Sequence, residues 1–375
     1  MPNDSTPISS PSSTPAAGMQ PLTGLKVLDF SHVIAGPLAT FYLAQLGAQV
    51  TKVEKPGGGD VLRGNAMGAA QFTALNAGKD CIAIDLKSPE GRAQALELAR
   101  HCDVLLDNFR PGALERAGLG WQDVRAINPK VIYCSVSGYG TLHAPWKPRG
   151  AYDHVIQAAT GMAMLGGEAG GPPIKVGFPV VDVMTGVLAA FAVTAAVQER
   201  QRTGEGRLVD VSMWGAALQL MYTQSVSVLA TGAVPERVGN KGFSGSPAAE
   251  YFAAAPDAEG KPGHIAIGAN TVEQIAKLYG VLGWSPEQAE MELERGHGFA
   301  RAKNPAQFRE RLVQALQARS AQDWEERLQA AGVPAARLRD LGEFMQEAQA
   351  VGAFVPMLLQ QGGVQVATPG LGWTC

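Results

Sequence analysis

Between Leu25 and Ser135 short apolar runs alternate with helical stretches, and no other feature limits the possible folds so tightly. Leu25–Phe30 and Gln49–Glu54 read as strands. Between them Pro37 suits the first turn of a helix, which runs to about Leu46 and ends at Gly47. Ile82–Leu86, Val104–Leu106 and Val131–Ser135 read as further strands. Ser88 and Pro89 supply the N-cap and first turn of a helix reaching about His101. Such alternation predicts an α/β fold with a parallel sheet. Ligands of these sheets gather near the carboxyl ends of the strands.

Beyond residue 150 the pattern turns helical. It predicts a helix over Val183–Gln201, a strand over Arg207–Ser212 and an apolar helix over Met213–Leu229. The longest apolar stretch, Val183–Val197, is shorter than the ~20 residues of a membrane span, so a buried helix is expected. A length of 375 residues suits two domains. The organisation predicted is a disordered tail over 1–20 and a large Rossmann-like domain over 21–230. A Gly- and Pro-rich crossing segment over 231–263 and a smaller α+β domain over 264–339 follow. Residues 340–375 then return toward the large domain. The small domain should hold helices near Val272–Leu282 and Pro305–Ala318, and a third capped by Ser320. The tail is rich in Ser, Pro and Thr, has no apolar signal core and cannot pack.

Several function classes fall away. A net charge of -3 leaves no broad basic surface for nucleic acid. Cys81, Cys102, Cys134 and Cys375 match no zinc or redox spacing, which predicts reduced thiols and a cytoplasmic protein. The six histidines are His32, His101, His143, His154, His264 and His297; they are scattered, and no metal is predicted. Ser31–Pro37, after the first strand, has one glycine and a proline, so it lacks the G-x-G-x-x-G loop that cradles a dinucleotide. No G-x-S-x-G elbow exists. Asp153-His154 reads as a helix start beside a satisfied histidine.

Asp182 is the informative carboxylate, because Phe178–Val181 before it are apolar. One reading is an N-cap. The other is a nucleophile at the mouth of an apolar helix, kept ionised by the helix dipole and stripped of water by its neighbours.

Eight stretches together resemble one family. They are Leu25–Pro37, Thr51–Arg63 (TKVEKPGGGDVLR), Leu75–Gly91 (LNAGKDCIAIDLKSPEG), Asp107–Gly120 (DNFRPGALERAGLG), Ile127–Gly140, Ala151–Gly161, Pro179–Gly186 and Ala330–Ala336. In order and spacing they resemble the class III CoA transferases, the group of formyl-CoA transferase, carnitine CoA transferase and α-methylacyl-CoA racemase. The resemblance implies that Asp182 is the catalytic nucleophile. It implies CoA contacts at His32, Val33, Ala35, Lys55, Leu86, Lys87, Asn108, Phe109 and Arg116. It places Ile34, Tyr152, Gly242 and Gly245 at the substrate pocket, the two glycines in a loop covering the site. No cofactor is implied, since the CoA thioester is itself a substrate, and the partners are an acyl-CoA and a carboxylic acid. An interlocked homodimer is implied too, with the chain end returning to the large domain; this chain stops at Cys375, sooner than the resemblance implies.

Two departures narrow the reading. Formyl-CoA transferases carry Gln where this chain has Ile34, and an apolar side chain cannot hydrogen-bond an oxalate-like acid. Racemases carry His where this chain has Tyr152, and a phenol is a poor base at neutral pH. The expected activity is therefore CoA transfer through an aspartyl-CoA thioester. An acyl-CoA racemase or epimerase and a catalytically silent CoA-binding protein are the alternatives.

Overall fold

A computed structural model describes residues 19–64, 66–141, 145–294 and 298–373. Residues 1–18 of the expected tail lie outside the described residues, as do His143, His297 and Cys375. The chain divides into two compact units. The larger holds the residues up to Gly166, Pro173–Pro235 and everything from Val355. The smaller holds Gly167–Pro172 and Glu236–Phe354.

The larger unit begins with β1 (Lys26–Asp29), α1 (Ala35–Gln45), β2 (Gln49–Glu54), α2 (Ala66–Asn76), β3 (Lys79–Ala83), α3 (Pro89–His101), β4 (Val104–Asp107), α4 (Trp121–Ile127) and β5 (Ile132–Ser137). It continues with α5 (Asp153–Ala159), α6 (Val180–Thr203), β6 (Arg207–Ser212), α7 (Met213–Leu220) and α8 (Tyr222–Thr231). The strands form one sheet in the order β3-β2-β1-β4-β5-β6, and all neighbours run parallel. Alternate residues feed opposite faces, as the pleat requires. Val27, Val104 and Leu106 pack toward Ala39, Leu43, Ala189 and Val193 of α1 and α6. Leu28, Leu105 and Tyr133 pack toward Ala95, Ala99 and Val124 of α3 and α4. Burial on both faces explains why these strands read as unbroken apolar runs.

Helix α6 is longer than its most apolar stretch suggests. It spans 24 residues with a mean hydropathy of 2.1 in its most apolar window, enough by length and composition alone to cross a membrane. Its inner face instead packs into the core beside α1. The two helices approach closely at Gly186, where a Cβ would come within 2.8 Å of the Ala35 carbonyl oxygen and 3.0 Å of Leu38 Cβ. That approach sets the first turns of α6 against the start of α1.

Three local readings need correction. Strand β3 begins at Lys79, three residues before the expected Ile82, because the buried Lys79 is part of the sheet and pairs in register with Val50. The single helix expected over Met213–Leu229 breaks at Met221, whose ψ of 28° leaves the helical range. Helix α2 was not anticipated: its Gly- and Ala-containing sequence carries no clear apolar stripe.

The smaller unit contains β7 (Ala248–Ala254), β8 (Gly263–Ala269), α9 (Val272–Val281), α10 (Pro286–Glu292), α11 (Pro305–Leu316), α12 (Ala321–Ala330), β9 (Ala335–Arg337) and α13 (Leu341–Ala350). Its sheet is antiparallel in the order β7-β8-β9. Phe252, Ile265, Tyr279, Leu312 and Trp324 share its core. Side chains of Thr271, Asn304, Ser320 and Asp340 cap α9, α11, α12 and α13. Strand β7 lies inside the stretch 231–263 that reads as a crossing segment. The chain leaves this unit at about residue 355 rather than 340, because Lys261–Glu343 and Arg339–Glu347 ion pairs tie α13 into it.

The larger unit is completed by a hairpin of β10 (Met357–Gln361) and β11 (Val364–Thr368). Leu359 packs with Phe41 and Ala77, and Gln361 Nε2 donates to the Lys79 carbonyl oxygen at 2.8 Å.

Candidate active site

Strand order reverses between β1 and β4, so a crevice opens where their carboxyl ends lead to opposite sides of the sheet. Asp29 ends β1 and is fully buried. Its carboxylate accepts hydrogen bonds from Ser31 N–H at 2.8 Å, Ser31 Oγ at 2.5 Å and Thr40 Oγ1 at 2.6 Å. Lys79 Nζ lies 3.2 Å away. Burial would push Asp29 upward, but Lys79, Lys52 and the two hydroxyls hold it below the ordinary carboxylate value.

The loops after β1 and β4 are bonded to each other. His32 N–H donates to Asn108 Oδ1 at 2.9 Å, and Asn108 Nδ2 donates back to the His32 carbonyl at 2.8 Å. The His32 ring lies 5.3 Å from that of Phe109. Burial pulls the imidazole below its ordinary value, and its Nδ1 has no hydrogen-bond partner among the described residues. Val33 follows with φ at +66°, the one non-glycine residue described with positive φ. Helix α1 then begins at Ala35.

Asp182 arrives from the other side. It stands in the first turn of α6, whose cap position is Pro179 and lacks a capping side chain. Asp153, the first residue of α5, does the capping. Its Oδ2 accepts from Val181 N–H at 2.7 Å and from Asp182 N–H at 3.1 Å. Its Oδ1 accepts from Gln157 Nε2 at 2.5 Å, and Gln157 Oε1 accepts from Val176 N–H at 2.8 Å. The bland N-cap reading of Asp182 is thus replaced: Asp153 is the cap, and the Asp182 carboxylate accepts no hydrogen bond from the described residues. Burial first, and the Asp153 charge second, push Asp182 up to about 6.

A cavity of about 180 Å³ joins these pieces. His32, Val33, Ile34, Ala35, Asn108, Phe109, Tyr152 and Asp182 all line it. Tyr152 is exposed at its rim, with its ring stacked 6.2 Å from that of His154. Lys55, Leu86, Lys87 and Arg116 do not line the cavity. They sit on the loops after β2, β3 and β4, hence along the same carboxyl edge of the parallel sheet. Lys55, Lys87 and Arg116 are exposed there. Gly242 and Gly245 belong to the smaller unit. Gly242 N–H donates to the Ala249 carbonyl at 2.7 Å, and Gly245, with φ at +64°, lies beside the Arg301 guanidinium.

Sequence reasoning passed over nine of the residues that line the cavity, and three of them show why. Arg110 stood inside the quoted NFRPG turn, directly after Phe109. Arg149 has its guanidinium 5.1 Å from the Trp146 ring centroid and 6.0 Å from that of Tyr139. Met213 comes from the start of α7, an element with no motif to mark it.

A half-buried carboxylate that accepts no hydrogen bond from the described residues, set in a small cavity whose lining includes Arg110 and Arg149, is equipped for nucleophilic attack on an activated acyl group. Among the described residues no cluster of His, Cys, Asp and Glu suits a metal ion.

Known proteins point the same way. The family described as CoA-transferase family III matches residues 22–372. The acetyl-CoA:oxalate CoA-transferase of Acetobacter aceti is 35% identical over 94% of this chain and 89% of its own. The succinyl-CoA:glutarate CoA-transferase of Mus musculus is 32% identical over 88% of this chain and 75% of its own. The crystal structure of a CAIB/BAIF family protein from Brucella suis superposes with a TM-score of 0.76 at 31% identity, covering 95% of this chain and 93% of that one. The chain belongs to CoA-transferase family III.

Proposed function

We propose that this chain moves CoA from an acyl-CoA donor to an acceptor carboxylic acid through an aspartyl-CoA thioester on Asp182. The observation that carries the reading is the Asp182 carboxylate, which no described donor satisfies and which opens on the cavity at the strand-order reversal.

The carboxylate attacks the donor thioester carbon, the C–S bond breaks, and a mixed anhydride and CoA thiolate result. The thiolate attacks the Asp182 acyl carbon, the donor acid leaves as a carboxylate, and the aspartyl-CoA thioester remains. An acceptor carboxylate attacks that thioester and expels CoA thiolate again. The thiolate then takes the acceptor acyl group from the second anhydride, and Asp182 is regenerated. No proton changes hands overall and one hard exchange becomes several easier ones. Ile34 and Ala35 line the same cavity, and the leading N–H groups of a helix have no partner within it. These N–H groups are our candidates for stabilising the tetrahedral oxyanions. Lys55, Lys87 and Arg116 would meet the CoA phosphates along the carboxyl edge.

The test is mass spectrometry of peptides after incubation with a panel of acyl-CoAs and a rapid acid quench. We expect a CoA or acyl mass on the peptide containing Asp182, absent from an Asp182→Ala variant. No adduct with any donor, together with deuterium uptake at an acyl α-carbon, would sink the transfer mechanism in favour of racemisation.

An interlocked homodimer is part of the same proposal. Phe191 on α6 is 71% exposed and Leu229 on α8 is 87% exposed, apolar surface that a second copy would cover. Sedimentation at micromolar concentration should show a dimer, and a monomer there would refute this part.

A further inference from the structure

We propose that the buried Lys52–Asp60 pair is a latch that holds Val33 in its left-handed backbone conformation and thereby positions the Val33–Ala35 wall of the cavity for acyl-CoA. This rests on the reading of the cavity as the CoA thioester site.

The side chains of Lys52, on β2, and Asp60, in the loop after it, are 0% and 1% exposed, and their charged atoms are 3.4 Å apart. Lys52 Nζ also donates to the Ser31 carbonyl oxygen at 2.6 Å. The Asp60 carboxylate accepts from Val33 N–H at 3.1 and 3.3 Å. One ion pair therefore grips both sides of His32. The latch is itself braced: Asp60 N–H donates to Glu54 Oε1 at 2.8 Å, and Glu54 pairs with Arg63 at 2.7 Å.

Two physical arguments give the pair a task beyond holding the fold. A buried ion pair is poor value as a stabiliser, since apolar side chains of similar size usually serve as well. Positive φ is also unfavourable for a β-branched residue, and persists only where the surroundings over-determine it. Glycine would adopt it freely. Here the unfavourable residue lies on the cavity wall, one step from Ile34 and Ala35. Asp60 is thus a positioning residue: it acts through Val33 and does not line the cavity.

The experiment compares Asp60→Ala, Asp60→Asn, Val33→Gly and the double variant Asp60→Ala with Val33→Gly. Thermal melting first establishes that each is folded. Free-CoA affinity is then measured by calorimetry, and turnover with a donor that serves the unaltered enzyme. Asp60→Ala should lose on the order of 100-fold in kcat/KM, the scale expected from misplacing reacting groups by about an ångström, and bind CoA more weakly. Asp60→Asn keeps an acceptor for Val33 N–H and should lose less. Adding Val33→Gly to Asp60→Ala should recover about tenfold or more, because glycine needs no bond to stay at positive φ. A merely structural pair predicts no recovery, since that second change restores no buried contact. Absence of recovery in folded protein overturns the proposal, as does unchanged CoA affinity and turnover in Asp60→Ala. Should Asp60→Ala fail to fold, Asp60→Asn with and without Val33→Gly makes the same comparison. CoA affinity is read apart from turnover. An enzyme that binds CoA without turning over therefore refutes the transferase reading, while the affinities still decide the latch.

Discussion

Replacing Asp182 with asparagine should abolish CoA transfer and, above about pH 6, make the protein more stable. Loss of a covalent nucleophile typically costs four orders of magnitude or more in turnover, roughly what serine-protease nucleophiles are worth. The stability gain follows from the pKa. Burial and the Asp153 charge push the folded-state value up to about 6, against 3.8 for an ordinary aspartate. The folded protein therefore holds this proton more tightly than the unfolded chain does. Below about pH 4 both states are protonated and nothing is lost. As pH rises from about 4 to about 6 the unfolded chain ionises while the folded protein still holds its proton, so stability falls by roughly 2–3 kcal/mol and then levels off as the folded state takes on its poorly solvated charge. Asparagine removes that cost, so the melting temperatures of the two proteins should diverge between about pH 4 and pH 6 and keep a constant gap above that. The unaltered enzyme should gain activity as pH rises through about 6, where its folded-state nucleophile ionises. A gap in melting temperature that does not change with pH would show that the carboxylate is not strained by its surroundings. Turnover above a hundredth of the original would remove Asp182 from the mechanism.

The second large effect concerns Asp29. Its Asp29→Ala variant should be destabilised by about 3–5 kcal/mol at pH 7, the usual consequence of removing one partner of a buried pair. The Lys79 ammonium is fully buried, and burial already pulls it down to about 8 with Asp29 opposing. Asn76 Oδ1 and the Pro37 carbonyl, each at 2.9 Å, are its other partners and carry no full charge. Ser31 and Thr40 lose their common acceptor in the same step. Urea unfolding measures the cost, and a loss below about 1 kcal/mol would show that Lys79 discharges or finds water at little expense. Adding Lys79→Met should return part of the loss by removing the stranded charge.

How much of this was legible in the residues depends on the distance over which each feature is determined. Strands β2 and β6 and the Ser88-capped α3 were readable with their bounds, because alternation and caps act within a few residues. The shift of β3 was hidden because a lysine reads as a surface residue, and only the partner Asp29, 50 positions earlier, makes its burial affordable. The break at Met221 has neither Gly nor Pro to announce it. Within the site, eight of the residues singled out meet around one cavity, although they come from the β1–α1 loop and the start of α1, the loop after β4, the residue before α5 and the first turn of α6. The resemblance supplied that grouping, since spacing alone left Asp182 divided between cap and nucleophile. What it did not supply was the capping of α6 by Asp153 from 28 positions away, or the grip of Asp60 on Val33 from 27. Such bonds depend on how the chain closes on itself and leave no local mark.

The β10–β11 hairpin has a kinetic corollary. It lies against α1, α2 and the β3 edge, yet it is made more than a hundred residues after the last of the six sheet strands, with Glu236–Phe354 of the smaller unit synthesised in between. A growing chain can assemble the parallel sheet early, but Phe41 and Ala77 must wait for Leu359 to cover them. Contacts so far apart in sequence form slowly. The nascent protein therefore spends much of its synthesis with one flank of a nearly finished sheet unsealed, which is the interval when a chaperone, or another unfinished copy, finds most to bind.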